Sequence, residues 1–136
     1  FLEDRIELLV AGGIARERMI VDPGIGFSKE AGQNMEILAG LRQLRGLGRP
    51  VLFGASRKFF LGSILGDAGG RGRDPLERDV ATVAANMAAV LQGASILRVH
   101  NVPYTRDLLD VAEALRLAAE QGLALDALQG SGEGGA

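Results

Sequence analysis

Residues 22–27, Asp-Pro-Gly-Ile-Gly-Phe, hold a carboxylate beside two glycines. Because glycine has no side chain, such a loop lets the backbone come close to a bound ligand. The Asp22 carboxylate accepts hydrogen bonds, so it could pair with a heterocycle that bears adjacent N–H donors. The same residues also suit an ordinary turn in which Asp22 only caps the backbone, and the segment alone leaves both interpretations open.

Residues 54–58, Gly-Ala-Ser-Arg-Lys, place two cations ahead of a predicted helix. Free backbone N–H groups at a helix start make a ready anion site, although a basic solvated turn is the alternative. The sequence has thirteen arginines but only two lysines, Lys29 and Lys58, and both lie in these polar loops. Where arginine serves nearly every other basic position, a retained lysine indicates a need for a compact ammonium.

The third polar segment is Arg98-Val99-His100. Alternate side chains of an extended strand point the same way, so Arg98 and His100 would share one side. If that side is the site, the two cations suit the oxygens of a pyrophosphate, and the Arg98 guanidinium could stack on a flat ring. Taken without its neighbours, the lone His100 fits a structural residue better than a catalyst.

Each polar segment follows or ends a short apolar run that predicts a buried strand. The predicted strands are residues 19–21, 50–53 and 94–99. Between and after them, apolar residues recur at helical spacing and predict helices over residues 80–91 and 108–119. Polar residues at the ends of parallel strands mark the place where α/β proteins build their sites.

Two further helices are predicted earlier in the chain. Residues 37–44 predict one that Asn34 caps, and residues 2–10 predict one that Gly12 and Gly13 close. One helix followed by three strand-helix units predicts an α/β fold with a parallel sheet and right-handed crossovers. Periodicity alone does not choose between a barrel and an open sheet.

Composition limits the domain organisation and the classes of partner. The chain has 136 residues, of which 47% are apolar and 24% charged, and this profile is typical of one globular domain. We expect that domain at residues 1–126, with a glycine-rich surface loop at 66–73 and a disordered tail at 127–136. The net charge of -2 and the pI of 5.4 argue against a nucleic-acid partner.

Residue counts also exclude several kinds of site. The absence of cysteine excludes thiolate zinc sites and cysteine nucleophiles, and a single histidine excludes multi-histidine metal sites. No apolar run approaches the roughly 18 residues that a membrane span needs, so we expect no membrane partner and a cytoplasmic location.

In order and spacing, the three polar segments together resemble the signature segments of the dihydropteroate synthase family. Glu77-Arg78, with Thr82 four residues after Arg78, also looks like that family's helix start, and the resemblance covers most of residues 1–119. It implies a (βα)8 TIM barrel of which this chain supplies the last three βα units and the preceding helix. The first strands and the metal ligand are then expected upstream of Phe1, with none of the metal ligands in this chain.

The family's reaction joins a 7,8-dihydropterin-6-ylmethyl pyrophosphate to p-aminobenzoate, with Mg2+ assisting, in a homodimer. The substrate-contacting residues that the resemblance implies are Asp22, Phe27, Ser56, Arg57, Lys58, Arg98 and His100. Asp22 would bind the pterin edge and Lys58 the pterin carbonyl and the p-aminobenzoate side. Arg98 would cover the pterin face and, with His100, face the pyrophosphate; Lys58, Arg98 and His100 are the implied catalytic residues. Phe27 and Ser56 would lie near p-aminobenzoate.

Two positions depart from the family's pattern. Phe59 stands where the family usually has a serine near the p-aminobenzoate carboxylate, and Asn101 stands where it usually has an aspartate. The first change would leave that carboxylate more dependent on the helix N-terminus, and the second would remove one negative charge beside the pyrophosphate. They keep open a non-catalytic relative, and the shared aspartate keeps open a pterin-binding methyltransferase barrel.

Overall fold

The computed structural model describes residues 1–66 and 72–121. Its helices and strands are α1 (Leu2–Ala11), α2 (Ala31–Ala39), β1 (Leu52–Phe53), α3 (Phe59–Leu65), α4 (Asp79–Leu91), β2 (Ile96–Leu97) and α5 (Val102–Glu120). Short 3-10 helices lie at Arg16–Arg18, Leu41–Leu47 and Pro75–Arg78. The predicted tail at 127–136 and most of the predicted loop at 66–73 lie outside the described residues. Among those that are described, no helix is both long enough and apolar enough to cross a membrane.

Three parallel chain segments form the centre of the fold. β1 pairs with β2, with Leu52 opposite Ile96, and an isolated parallel bridge joins Val21 to Val51 on the other side of β1. Two of the three predicted strands are therefore present and parallel, and both are shorter than predicted; residues 19–21, predicted as a buried strand, make one parallel bridge at Val21, and Ile20 is exposed. The apolar runs mark the extended backbone, whereas a ladder forms only where a neighbouring segment supplies partners.

The core is built from the strands and from apolar residues of α2, α3 and α4. Val51 and Phe53 are almost completely buried, and Ala85 and Ala89 of α4 belong to the same apolar cluster. Alanines at this spacing on one helical face allow the helix to lie close to the strands it covers. This packing fixes the ends of the strands, from which the polar loops leave.

The predicted helix over 37–44 is wrong in its bounds and in its cap. α2 ends at Ala39 and the chain continues as a 3-10 helix. Asn34 is not the cap: it lies inside α2, 1% exposed, while the Gln33 side chain accepts a hydrogen bond from the N–H of Glu30 at the helix start. A capping residue type misled the prediction because the Asn34 amide serves the preceding loop instead.

The other helices match the predicted pattern. α1 is followed by Gly12 and Gly13, as predicted, and Gly13 has a φ of +90° that favours glycine. α4 agrees with the predicted span within a residue. α5 begins six residues earlier than its apolar pattern, at Val102, because the Asn101 side chain caps it by accepting a hydrogen bond from the Tyr104 N–H at 3.2 Å.

Candidate functional site

The three polar segments meet at one edge of the sheet, because the carboxyl ends of parallel strands lie on the same side. Asp22 of the first segment faces Arg98 of the third, with 3.8 Å between the carboxylate Oδ2 and the guanidinium Nη2. Lys58 of the second segment donates to the carbonyl of Ile25 in the first. Ser56 contacts His100. The structure therefore brings the predicted segments together.

The two carboxylate oxygens of Asp22 make different contacts. Oδ1 accepts a hydrogen bond from the Gly24 N–H at 2.8 Å, which is the turn-capping interpretation. Oδ2 faces Arg98, and the side chain is 37% exposed. The cap thus orients the carboxylate and leaves one oxygen accessible at the site.

The loop after Asp22 is held from within and from α2. Asn34 Oδ1 accepts the Gly26 N–H at 2.6 Å, and Asn34 Nδ2 donates to the Glu30 carbonyl at 2.8 Å. Lys29 Nζ donates to the carbonyls of Gly24 and Phe27, at 3.0 and 3.1 Å. These contacts fix the loop while the Phe27 ring stays 60% exposed.

Lys58 ties the second segment to the first. Its ammonium lies 4.2 Å from the centroid of the Phe27 ring, in cation–π geometry. Its stem crosses Gly26, where an added Cβ would overlap Lys58 Cδ and where φ is +76°. Burial lowers the pKa of Lys58, and the charge of Arg98 lowers it further, while Asp22 opposes that shift.

Ser56 orients His100. The buried Ser56 Oγ accepts the His100 backbone N–H at 3.0 Å and lies 2.9 Å from Nδ1 of the same histidine. We assign the hydroxyl proton to the bond with Nδ1, because no other acceptor contacts Ser56 among the described residues. Neutral His100 then carries its proton on Nε2, as a donor from an exposed ring.

Arg98 lies across the end of β1. A Cβ added at Gly54 would stand 3.0 Å from its Nη2, so the glycine makes room for the guanidinium. The Arg98 side chain is 58% exposed and presents a planar cation beside Asp22. Such a surface suits a flat ring or an anion.

Arg57 has a backbone φ of +57°, which non-glycine residues adopt rarely. Its side chain binds Asp79 in fork geometry, with Nε–Oδ1 at 2.7 Å and Nη2–Oδ2 at 2.9 Å. Asn101 Nδ2 donates to the same Oδ2 at 3.0 Å. Hydrogen bonds from Arg57 and then Asn101 lower the pKa of Asp79 to about 2. The Arg57 guanidinium is therefore engaged by protein.

Several residues at this edge escaped the reasoning from sequence. Asn34 was taken for a cap, and Asp79 carried no prediction. Arg78 and Thr82 were named only because they resemble the start of a helix in the family. A usable signal was present, since Arg78 and Thr82 are polar residues four apart on the buried face of a helix.

The cations and the carboxylate define what the site can bind. Lys58, Arg98 and His100 can meet an anion, and Asp22 can accept from N–H donors at its edge. The described residues include no cluster of three or more His, Asp or Glu side chains that could hold a metal ion. These side chains thus offer positive charge to an anion and a carboxylate acceptor to N–H donors.

Comparisons with known proteins find relatives of this chain by sequence and by fold. The sequence profile of a family described as pterin binding enzyme matches residues 1–100. A dihydropteroate synthase of Synechocystis sp. is 42% identical over 115 residues, which cover 85% of this chain and 38% of that protein.

Solved structures of two bacterial dihydropteroate synthases share the fold. The Yersinia pestis enzyme in a sulfonamide drug complex has a TM-score of 0.80 at 38% identity, covering 87% of this chain and 41% of that one. The Xanthomonas albilineans enzyme in complex with 7,8-dihydropteroate has a TM-score of 0.78 at 41% identity, covering 85% and 42%. The chain spans less than half the length of each of these relatives.

Proposed function

The chain belongs to the pterin-binding enzyme family, and on that basis we propose that it forms part of a dihydropteroate synthase. The proposed reaction condenses 7,8-dihydropterin-6-ylmethyl pyrophosphate with p-aminobenzoate and releases pyrophosphate. The observation that carries the proposal is the Asp22 carboxylate, 3.8 Å from the Arg98 guanidinium and beside the Lys58 ammonium. The Asp22 carboxylate suits the N–H donors of a pterin edge, the Lys58 ammonium suits its carbonyl, and the Arg98 guanidinium suits the charge of the leaving group.

We propose the following roles for these side chains. Asp22 Oδ2 accepts hydrogen bonds from the pterin ring, and Arg98 covers the ring face. The Nε2–H of His100 and the guanidinium of Arg98 bind the departing pyrophosphate. Lys58 contacts the pterin carbonyl and the p-aminobenzoate side, and Phe27 borders the p-aminobenzoate pocket. The geometry supports indirect roles for Ser56, which orients His100, and for Arg57, which binds Asp79.

The chemical step is a displacement at the pterin methylene carbon. The amine nitrogen of p-aminobenzoate bonds to that carbon, the carbon–oxygen bond to pyrophosphate breaks with its electron pair, and the amine releases a proton. Charge builds on the leaving oxygen, so the Arg98 cation and the Nε2–H donor of His100 would stabilise the transition state more than the ground state.

The family also implies Mg2+, which would neutralise pyrophosphate charge. The described residues do not form a metal-binding cluster, and Asp79 is occupied by Arg57 and Asn101. We therefore assign no step to the metal and propose that its ligands come from residues outside those described.

We propose that this chain supplies the last three βα units of a (βα)8 barrel and the helix before them. The proposal is supported by the parallel order of the Val21 segment, β1 and β2 with a helix after each. A homodimer in the cytoplasm is part of the same proposal. One face of α5 supports self-association, because Tyr104, Val111 and Leu115 share it and are each at least half exposed.

The decisive assay uses the complete enzyme that contains this segment. Pyrophosphate release from the pterin substrate, dependent on p-aminobenzoate, is the expected result. Methyl transfer from a methylated folate without pyrophosphate release would indicate a pterin-binding methyltransferase instead. Binding of the pterin substrate without turnover would indicate a non-catalytic relative, the reading that Phe59 and Asn101 favour.

Asp22→Asn tests the residue that carries the proposal. The amide places an NH2 group against ring donors and loses a charge-assisted contact worth roughly 3 kcal/mol, so we expect pterin affinity to fall about 100-fold. Calorimetric titration with the pterin substrate measures the loss. Asp110→Asn on the exposed surface of α5 is the matched control. Affinity within about threefold of the control would contradict the assigned role.

A further inference from the structure

We propose that the start of α4, from its N-cap Arg78 to Thr82, is a template that fixes the backbone of Arg57 and thereby aims Lys58 and His100. Arg78, Asp79 and Thr82 are then positioning residues for the reaction. The expected effect on kcat rests on the proposed function. The contacts that form the template do not depend on which reaction the enzyme performs.

The backbone of Arg57 needs external support. Its φ of +57° lies in the left-handed region, where a Cβ crowds the following carbonyl. A residue other than glycine stays in that backbone region only when several contacts with the surrounding structure hold it there. A residue free to relax would leave it and rotate the peptide groups on either side.

Three side chains at the start of α4, those of its N-cap Arg78 and of Asp79 and Thr82, contact Arg57. The Thr82 hydroxyl accepts the Arg57 N–H at 3.1 Å, and Arg78 Nη1 donates to the Arg57 carbonyl at 2.9 Å. Asp79 binds the Arg57 guanidinium. The three supporting residues therefore hold the N–H, the carbonyl and the side chain of the same strained residue.

Burial makes these contacts specific. Arg78 is 8% exposed, and its donors reach two backbone carbonyls, those of Arg57 and of Arg73 at 2.6 Å. Gly62 clears the space, since an added Cβ would lie 2.9 Å from Arg78 Cζ. A buried cation is costly unless it is well hydrogen-bonded, so the Arg57 carbonyl is a required partner of this arginine.

The neighbours of Arg57 are the residues that the site depends on. Ser56, before it, orients the His100 ring, and Lys58, after it, reaches the Ile25 carbonyl and the Phe27 ring. Rotation at Arg57 would move both together. Small misplacements of this kind lower reaction rates far more than they lower affinity for a ring held elsewhere, here by Asp22.

Thr82→Val in the complete enzyme is the test, because valine keeps the shape and removes the hydroxyl. Thr105→Val is the matched control: Thr105 is also buried and also donates to the carbonyl four residues earlier, as Thr82 does, but it does not touch Arg57. Thr82→Ser retains the hydroxyl and should restore the lost activity.

We expect Thr82→Val to lower kcat about tenfold relative to Thr105→Val, with the pterin KM within about threefold. Thr82→Ser should lie near the wild-type kcat. A kcat for Thr82→Val within about twofold of the Thr105→Val control would overturn the inference. If Thr82→Val does not fold, Asp79→Asn takes its place, and an unchanged kcat there would overturn the inference equally.

Amide hydrogen exchange separates this inference from the proposed function. Exchange at the Arg57 N–H should be faster in Thr82→Val than in Thr105→Val, whatever reaction the enzyme performs. Equal exchange would refute the template even if dihydropteroate forms. If the wild-type enzyme makes no dihydropteroate, but the Arg57 N–H exchanges faster in Thr82→Val than in Thr105→Val, only the proposed function is refuted.

Discussion

At the scale of single residues, the two lysines have different surroundings. Lys29 donates hydrogen bonds within its own loop, to the carbonyls of Gly24 and Phe27. Lys58 spans two loops, and its pKa is lowered by burial and by Arg98. A cation with a depressed pKa is incompletely solvated, so it interacts more strongly with a charge that enters the site.

Lys58→Ala should therefore reduce turnover more than Lys29→Ala, by about tenfold or more. Steady-state kinetics of the complete enzyme with both substrates measure the difference. Lys58→Arg should not restore full activity, because a planar fork cannot replace a compact ammonium over Gly26 and the Phe27 ring. Equal losses at the two lysines would mean that only a general basic field matters.

Asn101 is matched to Asp79. Its amide donates to the Asp79 carboxylate at 3.0 Å, whereas the aspartate usual in the family would place a second negative charge there. Asn101→Asp should lower the melting temperature at neutral pH, and adding Asp79→Asn should recover part of the loss. Thermal denaturation of the two single variants and the double variant measures this coupling. Additive effects would exclude it.

The same carboxylate makes stability depend on pH. The pKa of Asp79 is 3.8 without its partners and about 2 in the fold, so the ionised form is favoured by folding. This stabilisation is complete above the higher value and is lost as pH falls toward the lower one. Between these pH values, the melting temperature of the wild type should fall more steeply than that of Asp79→Asn.

The sequence allowed some site residues to be predicted and not others. Asp22, Lys58, Arg98 and His100 follow from residue type and from their place after apolar runs, and the structure brings together the three segments that carry them. The contacts of Ser56 with His100 cross 44 positions of the chain. Contacts of that span depend on the tertiary arrangement of the loops, which no local pattern encodes.

At the scale of elements, helices hold the loops that the strands deliver. α2 holds the first loop through Asn34, and α4 holds the second through its first turn. The periodicity of Ile37, Leu41 and Leu44 could not reveal where α2 ends. Apolar residues three and four positions apart are compatible with one continuous α-helix, and equally with a shorter α-helix followed by a 3-10 helix.

The two buried asparagines offer a matched comparison between elements. Asn34 of α2 makes hydrogen bonds to the loop, whereas Asn86 of α4, 0% exposed, has no hydrogen-bond partner among the described residues. Replacing either with alanine removes the same volume, but only Asn34→Ala leaves a backbone donor, the Gly26 N–H, unpaired; the Glu30 carbonyl keeps the hydrogen bond from the backbone N–H of residue 34.

Asn34→Ala should therefore cost roughly 1–3 kcal/mol more in free energy of unfolding than Asn86→Ala. Denaturant unfolding of the complete enzyme measures both values. Asn34→Ala should also weaken p-aminobenzoate binding, because the loop carries Phe27. The interpretation fails if the two variants unfold at the same denaturant concentration.

At the scale of the whole molecule, the sheet is open on both sides. Among the described residues, neither the Val21 segment nor β2 has a strand on its outer edge. Open edges and exposed apolar side chains such as Ile20, at 54% exposure, favour association with other chains. The parallel order of these segments was predictable, whereas the short extent of their pairing was not.

We expect the 136-residue chain, produced by itself, to have no synthase activity. A closed eight-stranded barrel typically needs about 250 residues, so this chain would present an incomplete pterin pocket. Mixing the purified chain with both substrates and Mg2+, and measuring dihydropteroate, is the direct assay. Light scattering should show aggregation or self-association. Turnover at ordinary enzyme rates would refute the barrel proposal.

Because Lys58 has other cations nearby, anions of the buffer can compete with the substrate for the site. Burial lowers the pKa of Lys58 most, and the charges of Arg98 and Lys29 lower it further against the opposing charge of Asp22, so a small anion bound at this edge would be attracted by all three cations. Divalent oxyanions such as sulfate and phosphate would occupy this edge and raise thermal stability by mass action. Affinities measured in phosphate buffer would then understate those in chloride at equal ionic strength. The buffer anion becomes a variable of every binding experiment on this protein.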